Sequence, residues 1–250
     1  MTKKSNDTLK RPFLSHLTFT NISNQKNIIT NGYDYALAGF SLDLFQTYRL
    51  PIPVNIQRAV RSRQAEYLAG RITALGTLNT LGFRVQDIPI GPHRSPLWPN
   101  DVRGSLTHTK TQTLCAVSRA SDYHCIGIDM ENWLPQAVVK EIKYRVINLR
   151  EETVLQSSGM DFCRAFTLAL SAKESFFKAA YPSLGYYFDF NSVDLVAISP
   201  EQNIFTLRLL KSLGGTWTLG REVNGYFLQQ EDAVQTMIAE AAAPTYSHQT

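Results

Sequence analysis

The chain has 250 residues, 44% of them hydrophobic and 18% charged, enough to bury a large core as one big domain or two of ordinary size. Its three cysteines, Cys115, Cys125 and Cys163, form neither a C-x-x-C pair nor a disulfide-framework spacing, which fits a reducing compartment. No apolar run approaches the roughly 18 residues of a membrane span, and Met1 to Arg11 lacks the apolar core of a signal peptide, so a cytoplasmic protein with no membrane contact is expected. The formal charge of +4 suits an acidic partner or a phosphorylated ligand. The basic residues do not cluster into a long arm or a recognition motif, so nucleic acid is not the expected partner.

From Asn55 to Leu81 the apolar residues Ile56, Val60, Tyr67, Leu68, Ile72, Leu75 and Leu78 recur at helical spacing until Gly82, which predicts a first long helix. Arg63, Tyr67 and Arg71 form an i, i+4, i+8 ladder on it, and Arg71 falls near the middle of the apolar stripe. Two guanidinium groups so spaced suit a phosphate; the other reading is an internal ion pair, with Glu66 as partner. Pro89 to Pro99 is predicted to be loop, because proline removes backbone donors and biases its predecessor to extended geometry, and Arg94 can reach a phosphate from there. Three strands follow, Gly104 to Thr109, Thr113 to Ser118 and Cys125 to Met130. His108 ends the first, where its imidazole can donate to a diphosphate. In the third, Asp129 and Glu131 lie two apart, so both side chains leave one face and can converge on one ion.

Beyond Pro135 the pattern predicts a helical region through Arg150, a second long helix from about Asp161 to Ala180, and strands near Val193 to Ile198, Ile204 to Leu210 and Gly225 to Gln229. The ends, before Arg11 and after Ala241, are expected to fray. On the second helix Phe162, Phe166, Leu170 and Phe177 form an apolar stripe, and at about 100° per residue Lys173 and Glu174 fall within roughly 60° of its centre. Charge there calls for a partner, since a buried unpaired ion costs several kcal/mol. Glu174 and Lys178 stand at i, i+4, an oxygen ligand beside a cation, or else a surface pair worth roughly 0.3–0.5 kcal/mol. Asp129, Glu131 and Glu174 thus form a candidate site for one divalent metal, with Lys173 and Lys178 beside it for phosphate. The order of elements, a long helix running into antiparallel strands twice over, predicts an α+β fold of two pseudo-twofold-related subdomains, although the two halves show no sequence self-similarity.

These segments resemble the 4′-phosphopantetheinyl transferases. The resemblance rests on Arg63-Gln64-Ala65-Glu66-Tyr67-Leu68-Ala69-Gly70-Arg71, Pro96-Leu97-Trp98-Pro99, Gly104-Ser105-Leu106-Thr107-His108, Gly127-Ile128-Asp129-Met130-Glu131 and Ser171-Ala172-Lys173-Glu174-Ser175-Phe176-Phe177-Lys178. Each is weak alone, but five in order and spacing are specific. The resemblance implies two subdomains, 1–122 with coenzyme A phosphate contacts and 123–250 with the metal site and catalytic helix, and coenzyme A with Mg²⁺ in the cleft between them. It implies Asp129, Glu131 and Glu174 as metal ligands, with Glu174, Lys178 and Asp129 as the catalytic set. His108 and Lys178, with Lys173 beside them, would meet the diphosphate, Arg63, Arg71 and Arg94 the 3′-phosphate side or other phosphates, and Thr107 the nucleotide. The implied reaction transfers the phosphopantetheine arm to a serine of an acyl or peptidyl carrier protein, as in siderophore and other nonribosomal peptide synthesis, by a single-chain monomer. Leu170 departs from the pattern, which has Phe or Trp there.

Two other readings stay open on residues alone. Asp-x-Glu with a distant Glu is also the minimum for a metal-dependent phosphodiesterase or nuclease, and a basic cleft also suits a non-catalytic module that docks an acidic protein.

Overall fold

The computed structural model describes residues 12–16, 22 and 25–243; the ends expected to fray lie largely outside these. Strands β1 (Leu14–His16) and β2 (Ile29–Tyr35) lead into two short helices, α1 (Asp43–Thr47) and α2 (Val54–Gln57), and then the long α3 (Arg61–Thr80). Strands β3 (Val102–His108) and β4 (Gln112–Arg119) complete an antiparallel sheet of order β1-β2-β4-β3. The remainder begins with β5 (Tyr123–Asn132), passes through α4 (Gln136–Val146), α5 (Leu149–Ser157) and the long α6 (Phe162–Leu184), and closes with β6 (Val193–Ser199), β7 (Ile204–Leu209), β8 (Glu222–Gln229) and β9 (Ala233–Ala241). These strands form a second antiparallel sheet of order β5-β9-β8-β7-β6, so the fold is α+β. Among the described residues no helix is long and apolar enough to cross a membrane.

Two predicted helices are each broken in two. The Asn55 to Leu81 pattern divides because Val60 is extended (φ −64, ψ 152), and the Gln64 amide donates to the carbonyls of Ile56 at 3.2 Å and Gln57 at 3.0 Å, satisfying the end of α2. The stretch after Pro135 divides at the extended Ile147, where Asn148 and Glu151 form a reciprocal capping box that starts α5. Strands β2 and β9 carry too little alternation to be foreseen. In β9 the run Val234 to Ile238 is buried throughout, Gln235 and Thr236 included, because α6 covers one face while the other packs toward the first sheet. A strand covered on both faces loses its polar-out positions.

The sheets meet through apolar contact, Leu114 and Ala116 on one side and Ile126, Ile128, Met130 and Met237 on the other. The edge strands β3 and β5 are also stitched by side chains. The Ile128 amide donates to Ser105 Oγ at 3.0 Å, and Thr107 Oγ1 donates to Asp129 Oδ1 at 3.0 Å. Helix α6 lies so close over β5 that a methyl group on Gly127 would run into the Ser175 carbonyl and the Ala179 backbone. That approach brings the polar face of α6 down onto Asp129.

Candidate active site

Asp129 is 4% exposed and has three partners from two elements. Its Oδ1 accepts from the Lys178 ammonium of α6 at 2.7 Å and from the Thr107 hydroxyl of β3, and its Oδ2 accepts from the Ser171 hydroxyl of α6 at 2.8 Å. Lys178 takes Asp129 as its partner, which tells against the alternative reading of a Glu174–Lys178 surface pair. Thr107, implied as a nucleotide contact, spends its hydroxyl on Asp129.

Around this carboxylate stand two more. Burial, with the Asp129 and Glu174 charges adding to it, pushes Glu131 up to about 7, against a smaller opposing pull from Lys178. Burial and then Asp129 raise Glu174. Three acidic side chains therefore feel one another, yet among the described residues no three His, Cys, Asp or Glu side chains gather in metal-ligand geometry. Asp129, Glu131 and Glu174, expected to converge on one ion, stand here with Lys178 on Asp129 Oδ1. The donor set still suits a hard divalent cation, because it offers carboxylate oxygens whose mutual repulsion a doubly charged ion would relieve.

The cationic side is built on α3 and the β3 end. Arg63 pairs with Glu66, whose Oε1 also lies 2.9 Å from His108 Nε2. Burial, Arg63 and Lys178 together push the His108 pKa down to about 4, so the imidazole that faces Glu66 is neutral at pH 7. Arg63 is itself lowered by burial and by the neighbouring charges of Arg94 and Arg71. Arg71 is 5% exposed, its guanidinium sits 4.8 Å over the Tyr67 ring, and its buried Nε has no hydrogen-bond partner. Three guanidinium groups that repel one another make a site short of negative charge.

Lys173 is not brought to this cluster. It is 2% exposed, with Nζ 2.7 Å from Glu151 Oε1, 2.8 Å from the Val146 carbonyl and 3.3 Å from that of Phe190. Its three donors are spent in the interior, so the expected diphosphate contact is corrected to a structural one.

Beside Glu174 and Lys178 a cleft of about 700 Å³ opens between α6 and the Pro92 to Asn100 loop. Leu97, Trp98, Phe177 and Tyr181 give it apolar walls, and Arg94 lies at its edge. Trp98 lies flat against Gly104, where a Cβ would come within 2.8 Å of the indole. His93, in the left-handed region at φ 53, sets its ring against Tyr181 and Tyr187, tying the loop to α6. Sequence reasoning missed Ser105, Ser171, Ser175 and Thr236, all buried hydroxyls around Asp129. The signal was Ser171 and Ser175 at i, i+4 on the same side of the helix as Glu174 and Lys178.

Comparison with known proteins adds to this geometry. Residues 53–118 match the family model described as the 4′-phosphopantetheinyl transferase N-terminal domain, and residues 125–231 match that of the 4′-phosphopantetheinyl transferase superfamily. Enterobactin synthase component D of Salmonella typhimurium is 35% identical over 191 residues, 76% of this chain and 77% of that protein. The protein of the same name from Escherichia coli K12 is 41% identical over 132 residues, 52% of this chain and 61% of its own length. The 4′-phosphopantetheinyl transferase Svp of Streptomyces mobaraensis is 34% identical over 193 residues, 75% of this chain and 76% of that protein.

Proposed function

Since the chain belongs to the 4′-phosphopantetheinyl transferase family, we propose that it moves the phosphopantetheine arm of coenzyme A to a serine of an acyl or peptidyl carrier protein, releases 3′,5′-ADP and needs Mg²⁺. The observation that carries this reading is the Lys178–Asp129 pair, whose lysine lines the cleft beside Glu174. It sets a replaceable cation and a cluster of repelling carboxylates against a largely apolar space, as a pyrophosphate with an uncharged arm requires. Asp129, Glu131 and Glu174 would hold the magnesium, which when bound draws charge from the diphosphate oxygens.

The chain's own residues do the rest. Arg63, Arg71 and Arg94 meet the 3′-phosphate side, where the buried Arg71 guanidinium lacks a full set of partners. Lys178 and His108 hold the diphosphate, and the neutral imidazole donates from Nε2. The arm lies along Trp98 and Phe177, which exclude water from the reacting phosphorus. The carrier serine oxygen bonds to the β-phosphorus as the bond from that phosphorus to the bridging oxygen breaks, so 3′,5′-ADP leaves with that oxygen. Glu174 takes the serine proton, for which its raised pKa suits it. The carrier presents acidic surface to this basic chain, so association weakens with added salt. The natural setting we propose is carrier modification in the cytoplasm for siderophore or other nonribosomal peptide synthesis, with subdomains 1–122 and 123–250 on the two sides of the cleft and the protein acting as a monomer.

The test is intact mass of several apo carriers after incubation with coenzyme A and Mg²⁺. The parent adds one phosphopantetheine, and Glu174→Gln slows this by about 100–10,000-fold. No carrier gaining mass with the parent sinks the reading. A nuclease would release nucleotides without coenzyme A, and a docking module would ignore chelator. Coenzyme A raising the melting temperature only with Mg²⁺ present argues against both.

A further inference from the structure

Ser171, Ser175 and Thr236 are each 0% exposed, and together they run from the interior to Asp129. Ser171 Oγ lies 2.8 Å from Asp129 Oδ2 and 2.8 Å from Thr236 Oγ1, and Thr236 Oγ1 lies 2.6 Å from Ser175 Oγ. The direction at Asp129 is fixed by counting protons. Asp129 is paired with the Lys178 ammonium and can only accept, so Ser171 must give it its single proton. Ser171 then has only lone pairs to offer Thr236. Thr236 Oγ1 reaches both the Ser171 hydroxyl and, at 2.9 Å, the Ser171 carbonyl, and Ser175 Oγ faces both Thr236 Oγ1 and the Thr236 carbonyl at 3.1 Å. The result is a connected run of hydroxyls, Ser175, Thr236 and Ser171, that ends on Asp129 with Ser171 as the donor.

The two oxygens of Asp129 are consequently unlike. Oδ2 is bound by a donor with no exposure, while Oδ1 is held by Thr107 and by Lys178, whose side chain is 26% exposed and free to be exchanged. We propose that Ser171, oriented by Thr236, is a positioning residue that locks Oδ2 and leaves Oδ1 as the oxygen Asp129 presents to a divalent cation. This rests on the metal assignment proposed above and deepens it. A hydroxyl that supports a ligating carboxylate commonly changes metal affinity by about 10–100-fold.

The experiment titrates Mn²⁺ by electron paramagnetic resonance in the absence of coenzyme A, on the parent, Ser171→Ala, Thr236→Val and Thr236→Ser, with melting temperatures taken without metal. Thr236→Val keeps the side-chain shape and breaks the run of hydroxyls, whereas Thr236→Ser keeps the hydroxyl and changes the packing. The expected result is a dissociation constant raised about 10–100-fold in Ser171→Ala and Thr236→Val and near the parent's in Thr236→Ser, whatever the order of melting temperatures. Should Ser171→Ala not fold, the two Thr236 variants give the same contrast. Thr236→Val binding Mn²⁺ like the parent, or both Thr236 variants weakened alike, overturns the positioning role and leaves the transferase reading intact. A parent that binds no Mn²⁺ overturns the metal assignment, and this inference with it.

Discussion

Lys173 and Lys178 stand on one helix, five residues and so about 140° apart around its axis, and their surroundings set them to opposite tasks. Lys173 and its partner Glu151 are each 1% exposed, and Glu151 is further bound by the Leu195 amide at 2.8 Å and the Asn148 amide at 3.0 Å. Every donor of the pair has an acceptor, and the joint ties α6 to the α4–α5 turn and β6. Lys178 reaches Asp129 at a rim open to solvent, with one carboxylate partner and donors to spare. A fully spent ion pair holds structure, and one with exchangeable partners is available to a ligand.

Breaking the buried pair has the largest expected effect on stability. Lys173→Met leaves Glu151 buried without its cation, and urea denaturation should show a loss of about 3–5 kcal/mol. Adding Glu151→Leu should restore part of it. If the single variant unfolds at the parent's midpoint, the contrast between the two lysines fails.

The repulsion at the other end predicts the opposite sign. Glu131 goes from 4.5 when unfolded to about 7 in the folded chain, so the folded state binds a proton that the unfolded state has lost. Stability conferred by that proton is present at low pH and falls away as pH rises through this window. Without metal, Glu131→Gln should therefore stabilise the protein at pH 8 by roughly 1–2 kcal/mol, discounted for partial exposure, and hardly at all at pH 4. Equal melting shifts at both pH values would remove the clustered-carboxylate account. The smallest effect belongs to the solvated Arg208–Glu222 pair, 49% and 51% exposed. Arg208→Ala should cost about 0.2–1 kcal/mol, less still in high salt, and a loss matching Lys173→Met would show that burial is not what separates these pairs.

Much of the site was legible because it follows short-range rules. Strand alternation brings Asp129 and Glu131 to one side, and helical spacing groups Glu174 with Lys178. Helix breaks at Val60 and Ile147 were not, since local pattern continues across them and capping decides. The partner of Lys178 was not legible because Asp129 lies 49 residues away in sequence.

By itself the sequence determined which residue types stand ready: carboxylates on one strand face, an acid, a cation and hydroxyls on one helical face, arginines at two-turn spacing. Only the tertiary structure decided their partners. It gave Lys173 to Glu151, Lys178 and Thr107 to Asp129, and Ser171 to the far oxygen of the same carboxylate. The physical reason is that periodicity fixes the direction of a side chain from its own element. Burial cost and hydrogen-bond demand are set by whatever another element brings against it, and here that was fixed by the close approach of α6 over Gly127.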